Sequence, residues 1–405
     1  MIVGAGQAGA WTAITLREAD PAREIVLIGE ESHPPYERPP LSKEILVGKV
    51  QADKALIRPA SFYGEQRIDL RIGRRVTAID RHLRQVLMDE ETLGYDDLVL
   101  CTGARARHLP VAADGLPCVH TLRNLDDVKR IREHLIPAQR VVVIGAGFIG
   151  MEFAAAAIEL RCGVTVIDTA DYPMARVVDR SVARVLQSYH EQRGVMFRLA
   201  TQVADIAPLD GRLEVVTHGG ERLTAHCIVV GIGAVPNAEL AVDAGLSVED
   251  GIVVDERGRT SDPHIFAAGD VTRHYNPLLR RHIRLESWQN AQNQAIAVAR
   301  GMAGGTACYA EVPWFWTDQY ENNLQIAGMP ETWDQVTWLG DPASRRFTVL
   351  YTQDNRVVAG NTLNNARDMR FIKQLITGAT AIDPATIAAS PVTLAHIVKS
   401  ANCGS

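Results

Sequence analysis

This sequence predicts an α/β chain made of two repeated βαβ units and a separate α+β domain toward the C-terminal end, on three observations. The first is a pair of glycine-rich fingerprints, Gly4-Ala5-Gly6-Gln7-Ala8-Gly9 and Gly145-Ala146-Gly147-Phe148-Ile149-Gly150. The second is their shared setting. Each follows an apolar strand (Ile2-Val3; Val141-Val142-Val143-Ile144), opens an Ala-rich helical run, and is succeeded by a second apolar strand ending in an acid, Glu30 or Asp168. The third is a change of composition near residue 309, where aromatic residues cluster and alternating strands begin. The repeated units read as two Rossmann-like dinucleotide-binding domains.

Composition bounds the class. A chain of 405 residues exceeds one ordinary core, so two or three domains are expected. An apolar fraction of 46% with mean hydropathy of -0.04 fits a globular protein. The 42 basic and 48 acidic residues are evenly mixed, which excludes the basic footprint of a nucleic-acid binder. No apolar run is long enough for a bilayer, and Met1 leads straight into the first strand, so neither a membrane span nor a cleavable signal is expected. Cys101, Cys118, Cys162, Cys227, Cys308 and Cys403 form no close pair. That spacing predicts a reduced, cytoplasmic setting. The 12 histidines are scattered without ligand spacing, so no metal site is expected.

The elements follow in order. Residues 1–30 read strand, tight turn, helix, strand. Residues 31–50 hold Tyr36-Glu37-Arg38-Pro39-Pro40-Leu41-Ser42-Lys43. Its prolines predict an ordered loop leading into a short helix at Ser42. Strands are expected at 86–88 and 97–100, the latter running into Cys101-Thr102-Gly103-Ala104, with a helix over 123–136. Residues 141–168 repeat the opening pattern. A helix over 181–193 and a β-rich return over 195–230 lead to Gly231-Ile232-Gly233. Ile265-Phe266-Ala267-Ala268 is a strand delivering Gly269-Asp270, and a helix covers 288–303. Beyond it, Trp314, Phe315, Trp316, Tyr320, Trp333 and Trp338 mark the third domain, with strands at 346–352 and 356–360.

The chemistry sits in the fingerprints. The first glycine permits the tight turn, the second lets backbone approach a pyrophosphate, and the third lets the helix pack close to the sheet. The helix N-terminus then offers N–H groups and a positive dipole end to phosphates. Glu30 follows Gly9 by 21 positions, and Asp168 follows Gly150 by 18. An acid at that spacing accepts hydrogen bonds from an adenosine ribose. At the second site Asp168 would repel the extra phosphate of NADPH, so NADH is preferred. Arg176 reads equally as a contact to that nucleotide or as a surface cation. Asp270, brought to a sheet edge by Gly269, can accept from a polyol hydroxyl or cap a helix.

With Thr260-Ser261-Asp262-Pro263 before that strand, the chain resembles the FAD-dependent pyridine nucleotide disulfide oxidoreductase superfamily. Within it, the likeness is to the ferredoxin reductases of bacterial oxygenase systems. It covers essentially the whole chain and is carried further by Arg38-Pro39-Pro40-Leu41-Ser42-Lys43, by Cys101-Thr102-Gly103-Ala104, by Asn290-Ala291 after Glu286-Ser287-Trp288, and by Pro313-Trp314-Phe315-Trp316-Thr317-Asp318-Gln319. The resemblance implies a glutathione-reductase-like architecture. Residues 1–104 and 234–304 would form an FAD-binding domain, 105–233 an NAD-binding domain, and 305–405 a C-terminal α+β domain. FAD would lie on Gly4, Gly6, Ala8, Gly9, Glu30, Arg38, Lys43, Val76, Thr102, Gly103, Arg123, Asp270 and Trp288. NADH would lie on Gly145, Gly147, Ile149, Gly150, Glu152, Asp168, Arg176, Gly231 and Gly233.

Two readings of Glu152 stand, an ordinary acid in a first helical turn and a partner of Lys43 beside the flavin. In the second, Lys43 tunes the flavin electrostatically and Glu152 orients the nicotinamide, while the cofactors carry the chemistry. The loop that bears a redox cysteine in disulfide reductases and NADH oxidases holds none here, which disfavours a thiol mechanism. The function implied is an NADH:ferredoxin oxidoreductase. FAD takes hydride from NADH and electrons pass singly to a [2Fe-2S] ferredoxin that feeds an aromatic-ring-hydroxylating dioxygenase or a cytochrome P450. An NADH oxidase and an apoptosis-inducing-factor-like flavoprotein are the alternatives. Trp316 reads as a docking residue or a core aromatic. Arg280, Arg281, Arg284, Arg367, Arg370 and Lys373 read as solvated charges or as steering groups for an acidic ferredoxin. The chain is expected as a monomer or homodimer.

Overall fold

The strand Ile2–Val3 has only two residues, yet in the computed structural model it is the middle of a sheet, pairing in parallel with Ile25–Ile28 and with Leu98–Leu100. The structure describes residues 1–89, 91–111, 116–306 and 308–379, together with 381, 394, 395 and 398. Contacts divide the chain into two units: Met1–Pro39, Gln51–Arg105 and Ala234–Glu311 form one, and Pro40–Val50, Ala106–Gly233 and Val312–Ser405 the other.

In the first unit a five-stranded parallel sheet runs in the order Ile265–Ala267, Leu98–Leu100, Ile2–Val3, Ile25–Ile28, Ile68–Arg71. These strands are continuous apolar runs because both faces are covered. On one face Ile2, Leu27 and Val99 pack with Ala13 and Leu16 of the helix Gln7–Ala19 and with Ala295, Val298 and Ala299 of the helix Trp288–Met302. On the other, Val3, Ile28 and Leu100 meet Val86 and Met88 of the antiparallel ribbon Val76–Asp80, Gln85–Met88, Glu91–Gly94.

The second unit repeats the parallel sheet as Met196–Arg198, Gly163–Ile167, Arg140–Ile144, Cys227–Val230, Val119–Thr121. Its fingerprint helix, Phe148–Glu159, is buried nearly all round and is accordingly Ala-rich. A three-stranded antiparallel sheet, 203–225, covers one face. Beyond Val312 a five-stranded antiparallel sheet follows in the order Trp314–Gln319, Asn322–Ala327, Arg356–Leu363, Arg346–Gln353, Gln335–Asp341. Met369, Ile372 and Leu375 of the helix Ala366–Gly378 pack with Ala327, Leu350 and Val357 of this sheet.

Two local expectations need correcting. The helical turn near Ser42 ends there rather than starting: it is a 3-10 turn over Pro39–Ser42. The fixed φ of proline suits the first turn of a helix, and the chain turns again before a further helical turn can build. The helix expected over 123–136 spans Leu125–Arg132, set at its start by a capping box between Asn124 and Asp127.

Candidate functional site

The two fingerprints are the same object built twice. At Gly4 φ is +106°, and a Cβ would stand 2.1 Å from the Cys101 carbonyl oxygen; at Gly145 φ is again +106°, and a Cβ would stand 2.4 Å from the Gly231 oxygen. Both turns therefore require glycine. A Cβ at Gly9 would lie 1.8 Å from Gly4 O, and one at Gly150 would lie 1.9 Å from Gly145 O, so each helix is locked onto its own turn. Gly6 and Gly147, by contrast, face open space within 4 Å and cap their helices without a side-chain hydrogen bond. Each helix thus presents backbone N–H groups and its positive end where, among the described residues, nothing crowds the capping glycine.

Asp168 is tied to its turn. Its carboxylate accepts from Ala146 N at 2.5 Å and from Ala170 N at 2.7 Å, which fixes it at the end of its strand while leaving lone pairs for a ribose. Glu30 is exposed and pairs with Arg75 at 3.3 Å. Arg176 is exposed, with Nη1 3.7 Å from where a Cβ on Gly233 would stand. Ile149 is exposed at 43%, an apolar side chain at the open end of the fingerprint helix. Gly231 donates to Ile144 O at 2.7 Å, in line with the sheet.

In the first unit Ala8 is buried, and a Cβ at Gly269 would come within 2.9 Å of it, so Gly269 brings Asp270 up to the first fingerprint helix. Arg38 donates to Glu31 Oε1 at 2.6 Å and to the Tyr36 hydroxyl at 3.2 Å, and Tyr36 also donates to Glu31. Burial works against the charge of Arg38, but Tyr36, Glu31 and Asp270 outweigh it and raise its pKa. Thr102 and Gly103 are locked to Asn237, the Thr102 hydroxyl donating to Asn237 O at 2.7 Å and Asn237 N to Gly103 O at 2.9 Å. Val76 is buried at the start of its strand, and Trp288 begins the helix capped by Ser287. Cys101 is buried, which pushes its thiol up to about 12, so it is no thiolate at neutral pH.

The second unit holds a charge cluster around the buried Glu152. Lys43 Nζ lies 3.2 Å from Glu152 Oε1 and 3.6 Å from Asp318 Oδ2. Glu152 is only 5% exposed. Its carboxylate also receives the Ser42 hydroxyl, the Thr317 hydroxyl at 2.8 Å and the Asp318 N–H at 3.3 Å. Burial pushes the Glu152 carboxyl up, with Lys43 and the hydrogen bonds opposing it. Trp316 stacks on Trp314 at 5.1 Å, bonds Asp318 through its indole N–H at 3.1 Å, and has Lys43 Nζ 5.6 Å from its ring centre. Arg123 lies in this unit too, its backbone N–H donating to Asp127.

Comparison with protein families matches residues 1–295 to the pyridine nucleotide-disulphide oxidoreductases and residues 314–398 to the reductase C-terminal domain. The chain belongs to the pyridine nucleotide-disulphide oxidoreductase family. Among curated relatives it is 43% identical over 394 residues to the ferredoxin--NAD(+) reductase component of the anthranilate 1,2-dioxygenase system of Burkholderia cepacia, covering 96% of each chain. It is 39% identical to putidaredoxin reductase CamA of Pseudomonas putida, over 99% of this chain and 97% of that one. Among solved structures, the covalent putidaredoxin reductase-putidaredoxin complex matches with a TM-score of 0.96 at 39% identity, covering 99% and 98% of the two chains. A ferredoxin reductase from Rhodopseudomonas palustris matches at 0.94 and 37%, covering 98% of each.

The family's two nucleotide cofactors, FAD and NADH, fit these residues. The open faces at Gly6 and Gly147 are cradles that any side chain would enter, and the anchored carboxylate at Asp168 and the half-buried one at Asp270 have the acceptor chemistry a polyol needs. Within this family site, sequence reasoning missed Ser42, Thr317 and Asp318 around Glu152, and Glu31 and Tyr36 around Arg38. The first three lie in motifs already singled out, but Thr317 sits 165 positions from Glu152 and no local spacing relates them. The Glu31–Arg38 pair was closer to hand, an acid seven positions before the arginine of the Pro-rich loop.

Proposed function

We propose that this chain is an NADH:ferredoxin oxidoreductase that carries FAD at the first fingerprint and binds NADH at the second. It would pass electrons singly to a [2Fe-2S] ferredoxin serving a ring-hydroxylating dioxygenase or a cytochrome P450. The observation that carries the reading is the duplicated glycine cradle, with matching close approaches at Gly4 and Gly145 and at Gly9 and Gly150. One chain with two such cradles is built for two dinucleotides. When bound, FAD supplies the chemistry that side chains lack, accepting two electrons as hydride and releasing them one at a time.

The protein's own part is binding, orientation and electrostatics. Residues 1–104 and 234–304 are assigned to FAD, 105–233 to NADH, and 305–405 to the C-terminal domain. The helix starting at Gln7 receives the FAD pyrophosphate and Glu30 its ribose, while Asp270 accepts from the ribityl chain and Arg38 adds positive charge. Thr102, Gly103, Arg123, Val76 and Trp288 line the remainder. The helix starting at Phe148 receives the NADH pyrophosphate, and Asp168 accepts from the ribose and disfavours a phosphate there. Lys43 holds a positive charge that favours electron-rich flavin, and Glu152, fixed by three donors, orients the carboxamide. The buried Cys101 thiol takes no part.

Trp316 is assigned to ferredoxin docking. Arg284 adds little steering because Asp250 at 3.1 Å and Glu286 neutralise it, whereas Arg280 and Arg367 are exposed cations with no ion pair among the described residues. Five described cysteines are free, and no helix among the described residues is long and apolar enough to cross a membrane. A cytoplasmic location is assigned on that thiol content. The test is cytochrome c reduction by the purified FAD protein and NADH. The proposal expects rates at least ten-fold higher when a [2Fe-2S] ferredoxin is added. Equal oxygen consumption with and without ferredoxin would transfer the case to an oxidase.

A further inference from the structure

The loop between the strand Gly163–Ile167 and the helix Arg180–Gln192 carries Asp168 and Arg176, and the C-terminal sheet holds it at Met174. Gln319 closes the strand Trp314–Gln319 and is buried. Its amide N–H donates to Met174 Sδ at 3.6 Å, and its Oε1 faces His190 Nε2 at 3.0 Å. Met174 is itself buried, and its backbone N–H donates to Ala146 O at 2.9 Å, inside the second fingerprint. Ala146 N–H is one of the two groups that anchor Asp168. The fingerprint residue Ala146 is therefore held on both sides by this loop.

The loop ends at Asp179, which caps the following helix by accepting from Ser181 N at 2.8 Å. Arg176 stands between Met174 and that cap. Thr317, two residues before Gln319 on the same strand face, bonds Glu152. One strand of the C-terminal domain thus supports both Glu152 and the loop that holds Asp168.

We propose that Gln319 is a positioning residue for NADH, setting its affinity through Met174 although it lies outside the fingerprint. The inference rests on the second fingerprint being the NADH site. Loosening the loop costs binding rather than the chemical step, because the loop contacts belong to ground state and transition state alike. Loss of one neutral hydrogen bond plus the order it imposes corresponds to an effect of about 5- to 20-fold.

The experiment titrates NAD+ into oxidised holoenzyme by calorimetry for wild type, Gln319→Leu, Met174→Leu and Asp168→Asn, with steady-state NADH kinetics alongside. Gln319→Leu and Met174→Leu should raise Kd for NAD+ and KM for NADH by about 5- to 20-fold, with kcat at saturating NADH within about two-fold of wild type. Met174→Leu conserves volume and removes only the sulfur acceptor, so it carries the test if Gln319→Leu fails to fold. Kd within two-fold of wild type for both would overturn the proposal, as would a fall in kcat at constant KM. Asp168→Asn separates the two levels. If it weakens NAD+ while the other variants do not, only the positioning role fails. If it leaves Kd unchanged, the second fingerprint is not the NADH site and both readings fall.

Discussion

Replacing Lys43 by Met would leave the Glu152 carboxylate, 5% exposed, with three hydrogen-bond donors but without its cation at 3.2 Å. Removing one partner of a buried pair costs about 3–5 kcal/mol when the remaining charge stays ionised. Here the carboxyl has an escape. Burial already raises its pKa, and loss of Lys43 raises it further, so it takes up a proton instead. The sign follows from linkage. A folded-state pKa above the unfolded one gives stability that is complete at low pH and is lost as pH rises through the folded value, at up to about 1.4 kcal/mol per pH unit. Lys43→Met should therefore be destabilised by about 2–4 kcal/mol at pH 8 and by distinctly less at pH 6. Urea unfolding of wild type, Lys43→Met, Glu152→Gln and the double variant at both pH values gives the coupling. The double variant should recover most of the loss, with a coupling of about 2–4 kcal/mol at pH 8. A coupling under about 0.5 kcal/mol, the figure for a solvated pair, or a loss that grows as pH falls, would mean that Lys43 does not hold Glu152 ionised.

Three further outcomes follow from the same physics. His274 is buried with neither ring nitrogen hydrogen-bonded among the described residues, and burial holds its pKa down to about 4. The unfolded chain binds the extra proton first, so stability is lost as pH falls from 6.5 toward 4, by about 3 kcal/mol at most. His274→Phe should flatten the acid limb of a urea-midpoint-versus-pH curve, and an unchanged limb would contradict this. Gly150→Ala would set a Cβ 1.9 Å from Gly145 O, so NAD+ binding should fall at least 100-fold in calorimetry while the flavin absorbance per chain stays at its wild-type value. Loss of FAD with NAD+ binding retained would reverse the assignment of the two fingerprints. Cys101→Ala should leave ferredoxin-dependent turnover within about two-fold of wild type, since its thiol, at about 12, is never a nucleophile at neutral pH; a hundred-fold loss would reinstate a thiol step.

Much of the fold was legible because its signals are local. Both glycine turns announce themselves within six residues, and the run 141–144 reads as a strand because all four of its side chains are apolar. The site was legible in its parts and not in its assembly. Lys43 and Glu152 stood out singly, the one after a rigid Pro-Pro segment, the other in the first turn of a fingerprint helix. The clamp on Glu152 was hidden because Ser42 is 110 positions from it and Thr317 is 165. Such contacts arise from tertiary packing, which leaves no periodicity in the sequence. Trp316 shows the same limit: its stacking on Trp314 follows from i, i+2 spacing on one strand, but its place beside Lys43 depends on how the 40–50 segment packs. The Pro39–Ser42 turn was misplaced because proline favours a first helical turn without saying whether a second one follows.

One chain that seats FAD and NADH and drains electrons singly has a defined stoichiometry, which anaerobic titration of the yellow protein with NADH, followed by oxidised [2Fe-2S] ferredoxin, reads out. One NADH per chain should bleach the flavin absorbance completely, and two ferredoxins should restore it in full. A flavin that NADH does not bleach, or one that oxygen reoxidises and ferredoxin does not, would exclude this electron path.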